Sequence, residues 1–199
     1  MNIQARKQAL RQSIIGARNA MSVTERAQAS QQIAAKIAQL TAYRDAKCVL
    51  AYLNFGAEFS AELFAQQVLQ DGKTLYLPKV NSATKELELY RITDLSQQIA
   101  PGLWNIPEPL IDRCEELKSF AEVDFVLLPG VAFTESGARL GYGGGFYDKL
   151  LARFTHQPTL VAAGFSCQVV PDIPLERTDR AVDWLITEHI TICCNLGRE

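Results

Sequence analysis

The segment Val-Asp-Phe-Val-Leu-Leu-Pro-Gly, residues 123–130, constrains this chain more than any other. Its apolar run has the length of a strand and reads as buried on both faces. Pro129-Gly130 then turns the chain. Similar runs recur as "CVLAYLN" (48–54) and "TLVAAGF" (159–165), and "TLYLPKV" (74–80) and "ELELYRI" (86–92) alternate as strands. "DWLITE" and "ITICCN" complete the strand set. Between them lie helical patterns. Ile3, Leu10, Ile14 and Ile15 give residues 3–20 an apolar stripe. Ser22 and Glu25 have capping-box spacing and open a second helix to about Leu40. Residues 60–72 end at Gly72, a suitable C-cap, and Phe146 to Phe154 reads as a further helix. Strands alternating with helices predict an α/β fold with a largely parallel central sheet flanked by helices. Thr93 to Pro109 holds three prolines and one glycine and reads as an irregular loop. No repeat, low-complexity tract or linker appears, so one domain over residues 1–199 is expected.

Bulk properties exclude several classes. Hydrophobic content of 48% and charged content of 21% are those of an ordinary soluble protein. A net charge of −2 offers no basic surface for nucleic acid. No apolar run approaches the roughly 18–20 residues that span a membrane. The five cysteines include no CxxC pair and there are only two histidines, which argues against a zinc site. An odd cysteine count without a secretion signal predicts reduced, buried thiols in a cytoplasmic protein. Arg6, Lys7, Arg11 and Arg18 all precede the first acid, Glu25. That start suits a transit peptide, an anion-binding helix or a plain solvated helix face.

The sharpest local feature is "RLGYGGGFYDKLL", residues 139–151. Gly141, Gly143, Gly144 and Gly145 can take positive φ and admit an anion close to the backbone. The helix expected from Phe146 aims its positive dipole end at the same place. Arg139 can add a bidentate phosphate contact. Asp148 can cap that helix or hold Mg²⁺ against phosphates. The bland alternative is a tight strand-to-helix turn. Neither standard nucleotide fingerprint fits: Phe146 stands where a Rossmann loop has its third Gly, and "DGKT" (71–74) lacks the first Gly of a Walker loop.

"PGVAFTESGARLGYGGGFYDKLL" (129–151) closely resembles the signature of the 5-formyltetrahydrofolate cyclo-ligase family, and the likeness extends over the chain. "KQALR" (7–11) resembles the family's Lys-xxx-Arg, "YLNFGAE" (52–58) its folate-lining segment, "WNIPEP" (104–109) its Asn-Ile-x-Glu-Pro turn, and "AVDWLIT" (181–187) its late acid-bearing strand. The resemblance implies ATP-dependent closure of 5-formyltetrahydrofolate to 5,10-methenyltetrahydrofolate, with Mg²⁺. It also implies a fold similar to sugar-phosphate isomerases and CoA-transferases, and a first helix that belongs to the mature fold. Lys7, Arg11 and the segment Arg139, Leu140, Gly141, Tyr142, Gly143, Gly144, Gly145, Phe146 and Tyr147 would face ATP. Lys7 and Arg139 would act in catalysis. Leu53, Glu58, Trp104 and residues 142–146 would face the folate, and Asp148 with Asp183 would hold Mg²⁺. Read as residues alone, Asp183 is a strand-end acid, Glu58 suits a helix N-terminus, Trp104 suits a core and Lys79 suits solvent. Phe146 stands where relatives often have Tyr, and Tyr142 where some have Arg, which removes one charge. The expected partners are the two small-molecule substrates, with the protein a monomer. The rival readings are an isomerase or CoA-transferase-like enzyme using the anion nest without ATP, and a binding module without turnover.

Overall fold

The computed structural model describes residues 2–176 and 180–194. Helix α1 (Ile3–Ala20) starts at Asn2, whose side chain accepts the Gln4 and Ala5 amides. Helix α2 (Val23–Gln39) starts on the predicted capping box: Ser22 Oγ accepts the Glu25 amide at 3.2 Å, and Glu25 Oε2 accepts the Ser22 amide at 2.7 Å. Such caps satisfy amides that no helical carbonyl reaches. A short helix α3 (Thr41–Asp45) leads into strand β1 (Cys48–Leu50). Helix α4 (Ala61–Gln70) follows a ten-residue loop and stops before Gly72, which takes φ +69°.

Strands β2 (Thr74–Asn81) and β3 (Glu86–Ile92) form a hairpin. The stretch expected as one irregular loop instead holds helix α5 (Leu95–Gln98) and the paired short strands β4 (Ile99–Pro101) and β5 (Pro107–Pro109). Prolines end both strands, where a missing amide costs no ladder bond. Strand β6 (Glu115–Glu116) edges β3, and β7 (Phe125–Leu128) is the buried strand that anchors the sequence reading. The hairpin β8 (Ala132–Phe133) and β9 (Arg139–Leu140) carries the glycine loop into helix α6 (Phe146–Leu151), which is shorter than expected. Strands β10 (Thr159–Ala163), β11 (Trp184–Ile186) and β12 (Thr191–Cys193) complete the set.

The main sheet has the order β12-β11-β10-β7-β1-β2-β3-β6. Its central strands β11, β10, β7, β1 and β2 are mutually parallel, and antiparallel strands flank them. The α/β class and largely parallel sheet are as the sequence predicts. The two-residue period of β7 builds the layers. Phe125 and Leu127 face Ile33, Ile37, Tyr43 and Phe64 from α2, α3 and α4. Val126 and Leu128 face Leu150, Leu151 and Leu185 on the α6 side. Ile14 of α1 packs on Ala132 and Leu140 of the β8–β9 hairpin, which docks the basic first helix against the glycine loop.

Only Cys48 is buried; Cys114, Cys167, Cys193 and Cys194 are half-buried. Among the described residues, no helix is long and apolar enough to cross a membrane.

Candidate active site

Ligands of parallel sheets gather beyond the carboxyl ends of the strands. Here the loops after β1 and β7 meet α1 at that edge. The inner face of α1 is set by spacing: Lys7, Arg11, Ile14 and Arg18 fall at i, i+4, i+7 and i+11. Lys7, Ile14 and Arg18 are buried. Lys7 Nζ pairs with Glu176 Oε2 at 2.9 Å. Arg11 Nε donates to the Gly141 carbonyl at 2.8 Å, and Arg18 Nη2 donates to the Tyr142 hydroxyl at 2.9 Å.

In the glycine loop, Gly143 and Gly145 take positive φ, +100° and +67°; Gly141 and Gly144 do not. A Cβ on Gly143 would stand 3.2 Å from Arg11 Nη2, and one on Gly144 would stand 2.7 Å from the Phe146 ring. Gly143 and Gly144 are exposed, Leu140 is buried, and Phe146 and Tyr147 are half-buried. The loop is therefore backbone-surfaced where it meets solvent and pinned by side chains underneath. Helix α6 starts at Gly145 without a side-chain cap, which leaves its first amides to other acceptors.

Asp148 does not cap that helix. Its Oδ1 pairs with Arg139 Nη2 at 3.0 Å, while Arg139 Nη1 donates to the Pro129 carbonyl at 3.0 Å. Arg139 is buried, so the outward phosphate contact expected of it gives way to these inward partners. A buried guanidinium is stable only when such acceptors meet it.

Asp183 is not brought to Asp148. It precedes β11 at the amino end of the strands, and its Oδ2 accepts the Leu160 amide at 2.8 Å. Strand register sets Leu160 level with Val126. Pro129, which shares Arg139 with Asp148, lies three residues further along, roughly 10 Å at strand rise. Asp148 and Asp183 are thus anchored toward opposite ends of the strands. Among the described residues, no group of three or more His, Cys, Asp or Glu converges as a metal site.

The loop after β1 supplies Leu53 and Glu58, both buried. Glu58 Oε2 accepts the Phe55 amide at 2.8 Å, and Oε1 accepts the Tyr142 hydroxyl at 2.5 Å. Burial pushes the Glu58 carboxyl above the usual carboxylate range, opposed by the Phe55 amide, the Tyr142 hydroxyl and Arg18. Burial and the adjacent Glu58 charge likewise push the Tyr142 hydroxyl up. The Trp104 side chain lies outside the described residues. Lys79 is not simply solvated: its Nζ pairs with buried Glu108 Oε2 at 3.2 Å.

Sequence reasoning counted Arg18 among the N-terminal basic residues but gave it no role in the site. The 7-11-14-18 spacing was the signal that places it with Lys7 and Arg11. Arg18 thus brings a positive charge to the Tyr142 hydroxyl.

A cationic helix face, a glycine loop and a buried carboxylate accordingly adjoin at one sheet edge. The model of the 5-formyltetrahydrofolate cyclo-ligase family matches residues 3–188. The chain belongs to this family. A mouse 5-formyltetrahydrofolate cyclo-ligase is 30% identical over 94% of this chain and 96% of its own. A Haemophilus influenzae protein of the same name is 31% identical over 90% and 95%. The solved Aquifex aeolicus 5,10-methenyltetrahydrofolate synthetase superposes with a TM-score of 0.84 at 32% identity, covering 97% of this chain and 95% of that one. The Mycoplasma pneumoniae synthetase gives 0.73 at 25% identity, covering 92% and 98%. Membership makes the chain a cyclo-ligase and sets aside the isomerase, transferase and binding-only readings.

Proposed function

We propose that the whole chain, residues 1–199, acts as one monomeric unit that uses ATP and Mg²⁺ to close 5-formyltetrahydrofolate to 5,10-methenyltetrahydrofolate, releasing ADP and phosphate. The observation that carries this reading is the position of the 141–145 loop. It touches Arg11 through the Gly141 carbonyl and Glu58 through the Tyr142 hydroxyl. One loop therefore lies between a cationic helix face suited to a nucleotide phosphate and a buried carboxylate suited to the N–H groups of a pterin.

The chemistry explains the residue set. A formyl oxygen leaves poorly from carbon. Transfer of the γ-phosphoryl to that oxygen gives an iminium phosphate. N10 then attacks the formyl carbon, its proton passes to solvent, and the carbon–oxygen bond breaks to release phosphate bearing the former formyl oxygen. Phosphoryl transfer needs positioning and charge neutralisation more than a covalent nucleophile. Lys7 and Arg11 supply positive charge, the loop from Arg139 to Tyr147 supplies a close-fitting backbone, and Leu53 and Glu58 line the folate side, to which the sequence resemblance also assigns Trp104. Arg139 acts by holding Asp148.

Mg²⁺ fits Asp148. The ion commonly takes one or two carboxylates with substrate phosphates, and Asp148 is one-third exposed with only Oδ1 engaged by Arg139. When bound there, it offsets phosphate charge. The ion is assigned here to Asp148 alone, since Asp183 accepts the Leu160 amide toward the other end of the strands. The reduced thiols expected from the odd cysteine count suit the reducing cytoplasm.

The test is to mix the protein with 5-formyltetrahydrofolate and Mg-ATP while following methenyl absorbance and ADP together. Equal amounts of both products are expected. Methenyl formation without ATP, or ADP without methenyl product, would overturn the proposal.

A further inference from the structure

Arg18 lies where α1, the loop after β1 and the glycine loop meet. It is 3% exposed. Its Nη2 donates to the Tyr142 hydroxyl at 2.9 Å, but Nε and Nη1 have no hydrogen-bond partner among the described residues. Nη1 stands 3.7 Å from Glu58 Oε1, an ion pair without a hydrogen bond. Idle N–H groups on a buried guanidinium are costly, and such groups are ordinarily satisfied by a ligand or water.

The Tyr142 hydroxyl is the exchangeable part of this cluster. Tyr142 is 45% exposed, so its ring reaches in from the rim and is not built into the core. It lies between Gly141 and Gly143, and Gly143 takes φ +100°, a backbone position that side-chain-bearing residues rarely adopt. The Tyr52 and Tyr147 hydroxyls lie within electrostatic reach of Glu58, both pushed up by burial and so neutral, and Cys167 lies within reach of Arg18. The charges here are Arg18 and Glu58.

The pattern of the Tyr142 contacts is informative. Its oxygen accepts from Arg18 and its hydrogen goes to Glu58. An acceptor facing Arg18 beside a donor facing Glu58 is the pattern of a lactam edge, a ring carbonyl next to a ring N–H. Folate's pterin has that edge. We propose that the Tyr142 hydroxyl holds the place of the pterin lactam, and that folate displaces it, so that Arg18 reads the ring carbonyl while Glu58 reads the adjacent N–H. This deepens the cyclo-ligase reading and rests on it. Arg18 is then a specificity residue, and Tyr142 competes with substrate for both partners.

The test is calorimetric binding without ATP, using 5-formyltetrahydrofolate and its 4-amino-4-deoxy analogue, in which an amino group replaces the ring carbonyl. The unaltered protein should prefer the 4-oxo compound by about tenfold or more, since the analogue leaves Arg18 unmatched. Arg18→Met should shrink that preference to the part owed to the ring N–H, which the analogue also lacks, and Arg18→Lys should retain more of it. Tyr142→Phe should tighten 5-formyltetrahydrofolate about threefold to tenfold, because the competing hydrogen bonds are gone. It should also lower the ligand-free melting temperature. A purely structural Tyr142 would give weaker or unchanged binding. Should Arg18→Met not fold, Tyr142→Phe and Arg18→Lys still decide. Unchanged or weaker folate binding by Tyr142→Phe overturns the proposal, as does a 4-oxo preference left undiminished by Arg18→Met. Failure of the unaltered protein to bind either pterin overturns the cyclo-ligase reading itself.

Discussion

Arg139 fastens Asp148 to the end of β7: one guanidinium nitrogen holds the Asp148 carboxylate at 3.0 Å and another holds the Pro129 carbonyl at 3.0 Å. The planar fork makes both contacts from fixed geometry, which a lysine ammonium does not reproduce. Arg139→Lys should therefore raise the Mg²⁺ concentration needed for half-maximal turnover by about 10-fold to 100-fold, the usual effect of loosening a metal-ligand support. A Mg²⁺ titration of the rate checks this; an unchanged midpoint would detach Arg139 from the metal carboxylate.

Gly143→Ala strains the glycine loop twice. A side chain at φ +100° is disfavoured, and the added Cβ would press on Arg11 at 3.2 Å. The expected cost is about 1–3 kcal/mol in stability, read by thermal melting. The KM for ATP should rise as Arg11 moves.

Glu58 gives a pH signature. Its folded-state carboxyl is raised by burial. Between the ordinary value, about 4.3, and the raised one, the folded state holds the extra proton. Stability from this group is therefore greatest below that window and declines as pH rises through it. Folate binding runs the other way, since only ionised Glu58 accepts fully from N–H donors. Affinity should fall as pH drops through the raised value. Calorimetry across that range should show the dependence in the unaltered protein and its loss in Glu58→Gln.

Asp183→Ala removes the acceptor of the Leu160 amide and should cost about 1–3 kcal/mol of stability. The Mg²⁺ midpoint should stay where it is. A raised midpoint in folded Asp183→Ala protein would return this residue to the metal site.

How much of this was legible in the sequence follows from the range of each signal. The β7 run, the Ser22–Glu25 cap and Gly72 act within a few residues, and the structure has each where expected. The shorter strand β1 and the β4–β5 pair were less legible, because their limits depend on partners distant in sequence. In the site, helical spacing foretold that Lys7 and Arg11 share a face. Arg18 lies on that face too, but its burial depends on Tyr142 and Glu58, 124 and 40 residues away, which no local pattern reports. The inward turn of Arg139 and the anchoring of Asp148 and Asp183 toward opposite strand ends likewise depend on sheet register.

The central claim, phosphoryl transfer to the formyl oxygen, has a direct measurement. 5-Formyltetrahydrofolate carrying heavy oxygen in its formyl group is turned over with unlabelled ATP, and the released phosphate is weighed by mass spectrometry. The account predicts one labelled oxygen in each phosphate. Label appearing in water, with unlabelled phosphate, would contradict it.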